Sequence, residues 1–221
     1  MSELHVGGLS LAFEDAKETV RKYLHSPDGS TYAFPYYDRL ETTSDSNMLS
    51  DGDFLAPVLL NAPVTLGAFR SLVEVRGQLE AMLRETPADR QLADASAEEL
   101  DQVAGLFAVL DDPEVETSGV RGSVLSKVMH RKRPGLIPLY DSKVRHVYRD
   151  MPGAPIERDR NRSWVQFMRL LVSSMQQDLR RSAEQWSELS EGLVTPLRAL
   201  DIVTWSKSDT ATNEDPALDD G

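Results

Sequence analysis

The chain has 221 residues, enough for one large domain or two small ones with a buried core. It contains no cysteine, which excludes a disulfide framework, a thiol nucleophile and a thiolate metal site. The net charge of −12 argues against a protein that coats nucleic acid indiscriminately, because phosphate binding depends on lysine and arginine. No apolar run approaches the ~20 residues that span a bilayer, and the first residues lack signal-peptide features. We therefore expect a cytoplasmic protein without a membrane partner.

Apolar residues recur near the helical period in eight segments, so the sequence predicts a mostly α globule of roughly eight helices. Thr65, Ser96 and Thr195 stand where helix N-caps are expected, Ser96 with a glutamate three residues later and Thr195 before a proline. Strand patterns are present only around residues 30–40. The predicted helices cover residues 14–25, 50–61, 66–83, 97–110, 122–132, 142–148, 164–186 and 196–205.

The end of the chain differs in composition from the rest. Residues 207–221 contain five acids against one lysine, together with small residues and a proline. Such a segment buries too little apolar surface to fold, so we predict a disordered tail. Residues 1–206 are predicted to form the helical domain.

Residues 119–149 hold eight lysines or arginines against a single acid, Asp141, which gives a local charge of +7. Pro134 is expected to end the helix in the first half of this central stretch. A short apolar connection follows, with a proline at each end, and Asp141 then occupies the position of an N-cap for the next helix. One carboxylate in so basic a segment is a candidate functional group.

This order of features resembles the helix-hairpin-helix DNA glycosylase superfamily. There, a Gly-hydrophobic-Gly hairpin opens a helix, and a proline-containing loop presents a catalytic aspartate at the start of the next helix. Here the hairpin would be Gly119-Val120-Arg121-Gly122 and the aspartate motif would run from Pro138 to Val144. The run LSKVMHRKRPGLIPLYDSKV, with YYDRL upstream and PLRALDIVTW downstream, also resembles an uncharacterised bacterial family related to that superfamily.

The sequence departs from the superfamily pattern at specific positions. Arg121 replaces the second glycine of the hairpin, and Ser123 stands where bifunctional glycosylases carry their Schiff-base lysine. The proline lies three residues before the aspartate rather than two. The resemblance thus implies a glycosylase-like fold and N-glycosidic hydrolysis without a Schiff-base lysine.

The resemblance makes Asp141 the predicted catalytic residue. A carboxylate at a helix N-terminus is held ionised by the dipole and free amides, and can stabilise a cation or activate water. As a structural alternative, an N-cap stabilises a helix by ~1 kcal/mol. Asp38 is predicted either as a second catalytic carboxylate or as the partner of an internal arginine, with the structural role favoured. The predicted ligand- or phosphate-binding residues are Arg131, Lys132, Arg133, Lys143, Arg145, Tyr140 and Tyr37.

Each of these candidates also has a structural interpretation. A basic run such as HRKRP is typical of a solvated helix end, and aromatic residues ahead of a helix are more often core. His130 and His146 have no acidic partner at ligand spacing, so neither a metal nor another cofactor is predicted.

Three functions are consistent with the sequence. The first is a glycosylase-like domain that binds a nucleic acid or nucleotide-like ligand near Asp141. The second is an enzyme for an anionic or other small molecule, built on the same scaffold, with Asp141 and Asp38 as acid and base. The third is a non-catalytic binding module in which Asp141 is only a cap. The sequence makes no prediction of the oligomeric state.

Overall fold

The computed structural model describes residues 3–26, 32–42, 45–115, 117 and 119–211, with side chains up to residue 208. This part of the chain is mostly helical, which confirms the predicted fold class. The α-helices are α1 (Phe13–Leu24), α2 (Asp51–Leu55), α3 (Leu66–Glu85), α4 (Ala97–Gly105), α5 (Gly122–His130), α6 (Ser142–Arg145), α7 (Trp164–Arg181), α8 (Ala183–Leu189) and α9 (Pro196–Ala211). Short 3₁₀ segments lie at Ala56–Leu60, Leu92–Asp94 and Ala108–Leu110, and a π-helical turn, His146–Asp150, continues α6.

The strands are not where the sequence analysis placed them. A two-stranded antiparallel hairpin joins β1 (Glu3–Val6) to β2 (Leu9–Ala12), whereas described residues 32–40 form turns. The prediction of strands around residues 30–40 was therefore wrong for 32–40, while residues 30 and 31 lie outside the described part. Gly7 has φ +55° in the tight connection, a conformation that glycine adopts without a Cβ penalty.

The predicted N-caps are confirmed. Thr65 Oγ1 accepts a hydrogen bond from the Ala68 amide at 3.2 Å, and Ser96 and Glu99 cap each other reciprocally. Thr195 Oγ1 accepts from the Arg198 amide at 3.1 Å. Caps are predictable because the side chain and the amide that it satisfies lie within four residues of each other.

Several predicted helix ends were wrong. The α-helices predicted over residues 50–61 and 97–110 end at Leu55 and Gly105, and short 3₁₀ segments follow. The segment 164–186 is broken at Ser182, so that Trp186 belongs to α8 rather than α7. The last helix continues to Ala211 instead of ending near residue 205. Residues 207–211 of the predicted tail are therefore helical, and residues 212–221 lie outside the described part. No helix among the described residues is long and apolar enough to cross a membrane.

The apolar faces of the helices meet in one large core, to which α7 contributes a continuous buried face. Helix α9 packs against α1, α6 and α8. Its side chains at Arg198 and Asp201 are buried. This packing brings a helix from the end of the chain next to the central stretch.

Gly122, the last residue of the predicted hairpin, is packed against an aromatic ring. A Cβ at this position would lie 2.3 Å from a ring atom of Trp164. We expect Gly122→Ala to lower the free energy of unfolding by about 1–3 kcal/mol, because the ring must shift in a packed core. Gly77→Ala is the matched control, since its Cβ would meet no heavy atom within 4 Å. It should stabilise α3 by about 0.4–1 kcal/mol. Urea denaturation of both variants measures this, and a neutral Gly122→Ala would contradict the packing.

Candidate functional site

Asp141 is the N-cap of α6, as the sequence predicted. Its Oδ1 accepts hydrogen bonds from the amides of Lys143 and Val144, each at 3.0 Å. Its Oδ2 lies 3.9 Å from Nζ of Lys127, and the side chain is 26% exposed. One carboxylate oxygen thus caps the helix while the other remains close to a buried cation.

Lys127 extends from α5 into the interior, where its side chain is only 4% exposed. Its Nζ donates to the backbone oxygen of Tyr140 at 3.2 Å. Burial lowers the pKa of Lys127, while the carboxylates of Asp141 and Asp201 act in the opposite direction. The result is a desolvated amine next to the predicted catalytic aspartate.

Arg198 of α9 is the centre of a buried network of charged and phenolic groups. Its Nε donates to Asp38 Oδ1 at 2.8 Å, one terminal nitrogen donates to Asp201, and the other donates to the Tyr23 hydroxyl at 2.8 Å. Asp38 therefore pairs with an internal arginine, which confirms the favoured structural role. Its catalytic role stays a prediction.

Asp201 is a buried carboxyl group near Asp141 whose pKa lies well above its ordinary value. Burial raises the pKa of Asp201 to about 6, although the Arg198 guanidinium acts to lower it. The negative charge of Asp141 raises the pKa of Asp201 further. Near neutral pH, Asp201 can therefore hold or release a proton.

One small cavity of about 50 Å³ is lined by Asp141, Lys127, Arg198 and Asp201. A liquid water molecule occupies about 30 Å³, so the cavity has room for water or a small substituent but not for a complete ring. Aromatic and polar side chains form most of its wall, and the segment 59–61 closes one side. The principal lining residues are Tyr23, Tyr32, Lys127, Asp141, Arg198, Asp201 and Trp205. We call this cavity the Asp141 pocket.

The two predicted ligand-binding tyrosines are buried. The Tyr37 hydroxyl donates to the backbone oxygen of Lys127 at 2.6 Å, and burial raises the pKa of Tyr37. The Tyr140 ring packs edge-on against Trp164 and Phe167, at centroid distances of 5.6 and 5.4 Å. Both rings thus have structural contacts, and stacking on a ligand stays a prediction.

The basic run after α5 faces inward. Arg131 Nε and Lys132 Nζ lie 3.2 and 3.0 Å from the buried carboxylate of Asp53. Arg133 donates to the backbone oxygens of Leu83 and Thr86 at 2.6 and 2.8 Å. Phosphate binding by these three residues stays a prediction, but each already has an internal partner.

The carboxylate of Asp53 is held in its ionised form. Burial alone would raise the pKa of Asp53, but hydrogen bonds from Ser50, Thr42 and Lys132 outweigh that effect and lower the pKa to about 2. Asp53 is therefore a permanent counter-ion for the basic run at neutral pH.

The two basic residues after Asp141 have different surroundings. Lys143 Nζ lies 4.1 Å from the centroid of the Trp205 ring, a cation–π contact at the wall of the Asp141 pocket. Arg145 Nε lies 3.3 Å from Asp150 Oδ2, and its side chain is 41% exposed. Lys143 is thus the predicted basic ligand-binding residue whose side chain contacts the Trp205 wall of the Asp141 pocket.

Lys127, Arg198 and Asp201 are site residues that were not predicted from the sequence. Lys127 was predicted only as one of the eight basic residues of the central stretch. Ser123, one turn earlier in α5, was the residue compared with the Schiff-base lysine of bifunctional glycosylases. A signal for the other two was present. Arg198 and Asp201 stand one helical turn apart among apolar residues of PLRALDIVTW, a position at which an ion pair must be buried.

The profile of a family of unknown function, DUF6308, matches residues 16–208. The chain belongs to this family. The match spans the Asp141 pocket from Tyr23 to Trp205. No curated protein and no solved structure matches the chain. Membership of this family does not indicate an activity. A relationship with the helix-hairpin-helix glycosylases stays a prediction.

Proposed function

We propose that the protein is a cytoplasmic hydrolase that cleaves the N-glycosidic bond of a nucleotide-like small molecule at the Asp141 pocket. The observation that carries this proposal is a pair of carboxyl groups in one pocket with different surroundings. Asp141 is partly exposed and accepts hydrogen bonds from two helix amides, whereas Asp201 is buried and burial raises its pKa to about 6. Glycoside hydrolases use such a pair, one carboxyl as acid and the other as base or cation stabiliser.

The proposed roles follow from this difference. Asp201 donates its proton to the leaving base as the bond between the base and the sugar breaks. Asp141 Oδ2 stabilises the positive charge that develops on the sugar. Water then adds to the sugar carbon, and the proton that the water loses returns to a carboxylate. Lys127 is a positioning residue, because its Nζ lies 3.9 Å from that oxygen and balances its charge.

The walls and the size of the pocket favour a small substrate with rings. Tyr23, Tyr32 and Trp205 offer aromatic surfaces for a base or sugar. Since the cavity has only about 50 Å³, the reacting bond fits inside and the rest of the ligand must lie at its mouth. A long nucleic acid is less favoured as a substrate, because Arg131, Lys132 and Arg133 have internal partners instead of forming an outward basic surface.

The test is release of free base from the common ribonucleosides, deoxyribonucleosides and their 5′-monophosphates, measured by chromatography. We expect the wild type to release base from at least one of them. Asp141→Asn should lower the rate by about 10²–10³-fold, as loss of an electrostatic stabiliser does. Asp201→Asn should lower it by about 10²–10⁴-fold through loss of the general acid, and the wild-type rate should fall above the pKa of Asp201, about 6.

Asp159→Asn is the matched control, because Asp159 is exposed and lies outside the Asp141 pocket, and it should leave the rate unchanged. Circular dichroism and urea denaturation establish that each variant is folded. An unchanged rate in Asp141→Asn would overturn the proposal, as would no base release from any substrate. Base release from duplex DNA alone, with binding that weakens as salt rises, would identify a nucleic acid as the substrate instead.

A further inference from the structure

A second cavity lies on the other side of Arg198 from the Asp141 pocket, and we call it the groove. Its volume of about 990 Å³ is at the upper end of the range of about 300–1,000 Å³ found for small-molecule sites. Its walls come from residues 37–42 and 46, from the end of α5 and the turn after it, and from the loop 192–195 before α9. Arg198 is the single residue that the described linings of the two cavities share.

His130 presents an unused hydrogen-bond acceptor in the wall of the groove. Nδ1 lies 2.6 Å from the backbone oxygen of Ile137 and must donate to it, because a carbonyl oxygen can only accept. Burial lowers the pKa of His130 to about 4, so the ring is neutral at pH 7 and Nε2 carries the lone pair. The residue is 2% exposed, and no described group donates to Nε2. Because His130 lines the groove, Nε2 can accept a hydrogen bond from a donor that enters it.

Lys132 supplies positive charge to the same wall. Its side chain is 5% exposed, and its Nζ contacts Asp53 Oδ2 at 3.0 Å. Asp53 also holds Arg131, so two cations share one carboxylate and leave a net charge of +1. An ammonium group has three N–H donors, and within the described residues Asp53 is the acceptor recorded for Lys132.

We propose that the groove binds a small organic anion that carries a hydroxyl group. The anionic group lies on the Lys132 ammonium, and the hydroxyl donates to His130 Nε2. Phosphate and carboxylate groups share the chemistry that a lysine recognises, whereas the hydroxyl is what distinguishes this ligand from a simple ion. This site is separate from the Asp141 pocket, and the proposal for it does not depend on the proposed hydrolase activity.

Two matched pairs of probes test the role of the hydroxyl by calorimetric titration. Glycerol 3-phosphate is compared with n-propyl phosphate, and lactate is compared with propionate. In at least one pair, we expect the wild type to bind the hydroxyl-bearing probe about tenfold more tightly, the effect of one added hydrogen bond. Which pair shows the preference identifies the anionic group as phosphate or carboxylate.

Two variants test the contact with His130 and the contact with Lys132 separately. His130→Asn keeps an amide donor near the position of Nδ1 but removes Nε2, so it should abolish the tenfold preference and retain the weaker binding. Lys132→Gln should weaken binding of both members of the preferred pair. His5→Asn, on β1 and outside the groove, is the control and should change neither.

A measurement on the wild type does not depend on whether the variants fold. The ¹⁵N resonance of His130 Nε2 should shift when the preferred probe is added, a change that a purely structural histidine would not show. Equal affinities within both pairs, or no binding of any probe at millimolar concentrations, would overturn the proposal. So would a preference that survives in His130→Asn. None of these results bears on base release at the Asp141 pocket.

Discussion

Asp53→Asn should lower the free energy of unfolding by about 3–5 kcal/mol, because it leaves Arg131 and Lys132 buried without their common counter-ion. The carboxylate is 0% exposed, so water cannot replace it. Urea denaturation at pH 7 measures the loss. Asp51→Asn is the matched control two residues earlier, since its exposed pair with Arg76 should contribute less than about 1 kcal/mol.

The loss in Asp53→Asn should also depend on pH. Because the folded protein lowers the pKa of Asp53 to about 2, the stability that this group contributes is complete above the ordinary value of 3.8. That contribution is lost as the pH falls through about 2. The difference between wild type and variant should thus be constant from neutral pH down to about pH 4 and smaller below it. A loss no larger than that of Asp51→Asn would contradict the role of Asp53 as the shared counter-ion of Arg131 and Lys132.

Arg198→Met should lower the free energy of unfolding by about 3–5 kcal/mol, measured by urea denaturation at pH 7.5. Arg198 is buried and binds Asp38, Asp201 and the Tyr23 hydroxyl at once, so its removal leaves buried carboxyl groups unpaired. Arg169→Met is the control, because its pair with Asp101 is exposed and should be worth less than about 1 kcal/mol.

The effect of Arg198→Met should become smaller in mild acid. The pKa of Asp201 in the folded protein, about 6, lies above its ordinary value of 3.8, so folding favours the protonated form. The stability gained from that proton is complete below about 3.8 and is lost as the pH rises through about 6. Protonated Asp201 is neutral and needs no cation, so the variant should lose less at pH 4.5 than at pH 7.5. An equal loss at both values would contradict the ionic coupling of Arg198 with Asp201.

The fold was predictable where the signal is local. The face of α7, with Phe167, Met168 and Leu171 buried, follows from the period of its apolar residues. The hairpin at Gly7 was missed because each strand is only four residues long, too short for its alternation of polar and apolar residues to be distinctive. The break at Ser182 was missed because the apolar pattern continues on the same side in α8.

In the basic stretch, residues 119–149, a positive charge does not by itself indicate that a side chain faces a ligand. Its lysines and arginines were predicted as ligand- or phosphate-binding residues because ammonium and guanidinium groups bind phosphates. In the folded chain, Arg133 donates to backbone oxygens at the end of α3, and Arg131 and Lys132 share the carboxylate of Asp53. Asp53 is separated from Arg131 by 78 positions, and no local pattern links them.

The sequence by itself determined the helical class, the caps and the place of Asp141 at the start of α6, because each depends on residues within a few positions of one another. Only the tertiary structure decided which groups surround Asp141. Packing of α9 against α6 brings Arg198 and Asp201 to a pocket that Tyr23 of α1 and Lys127 of α5 also line. The burial that raises the pKa of Asp201 and lowers that of Lys127 likewise exists only once those helices have excluded water.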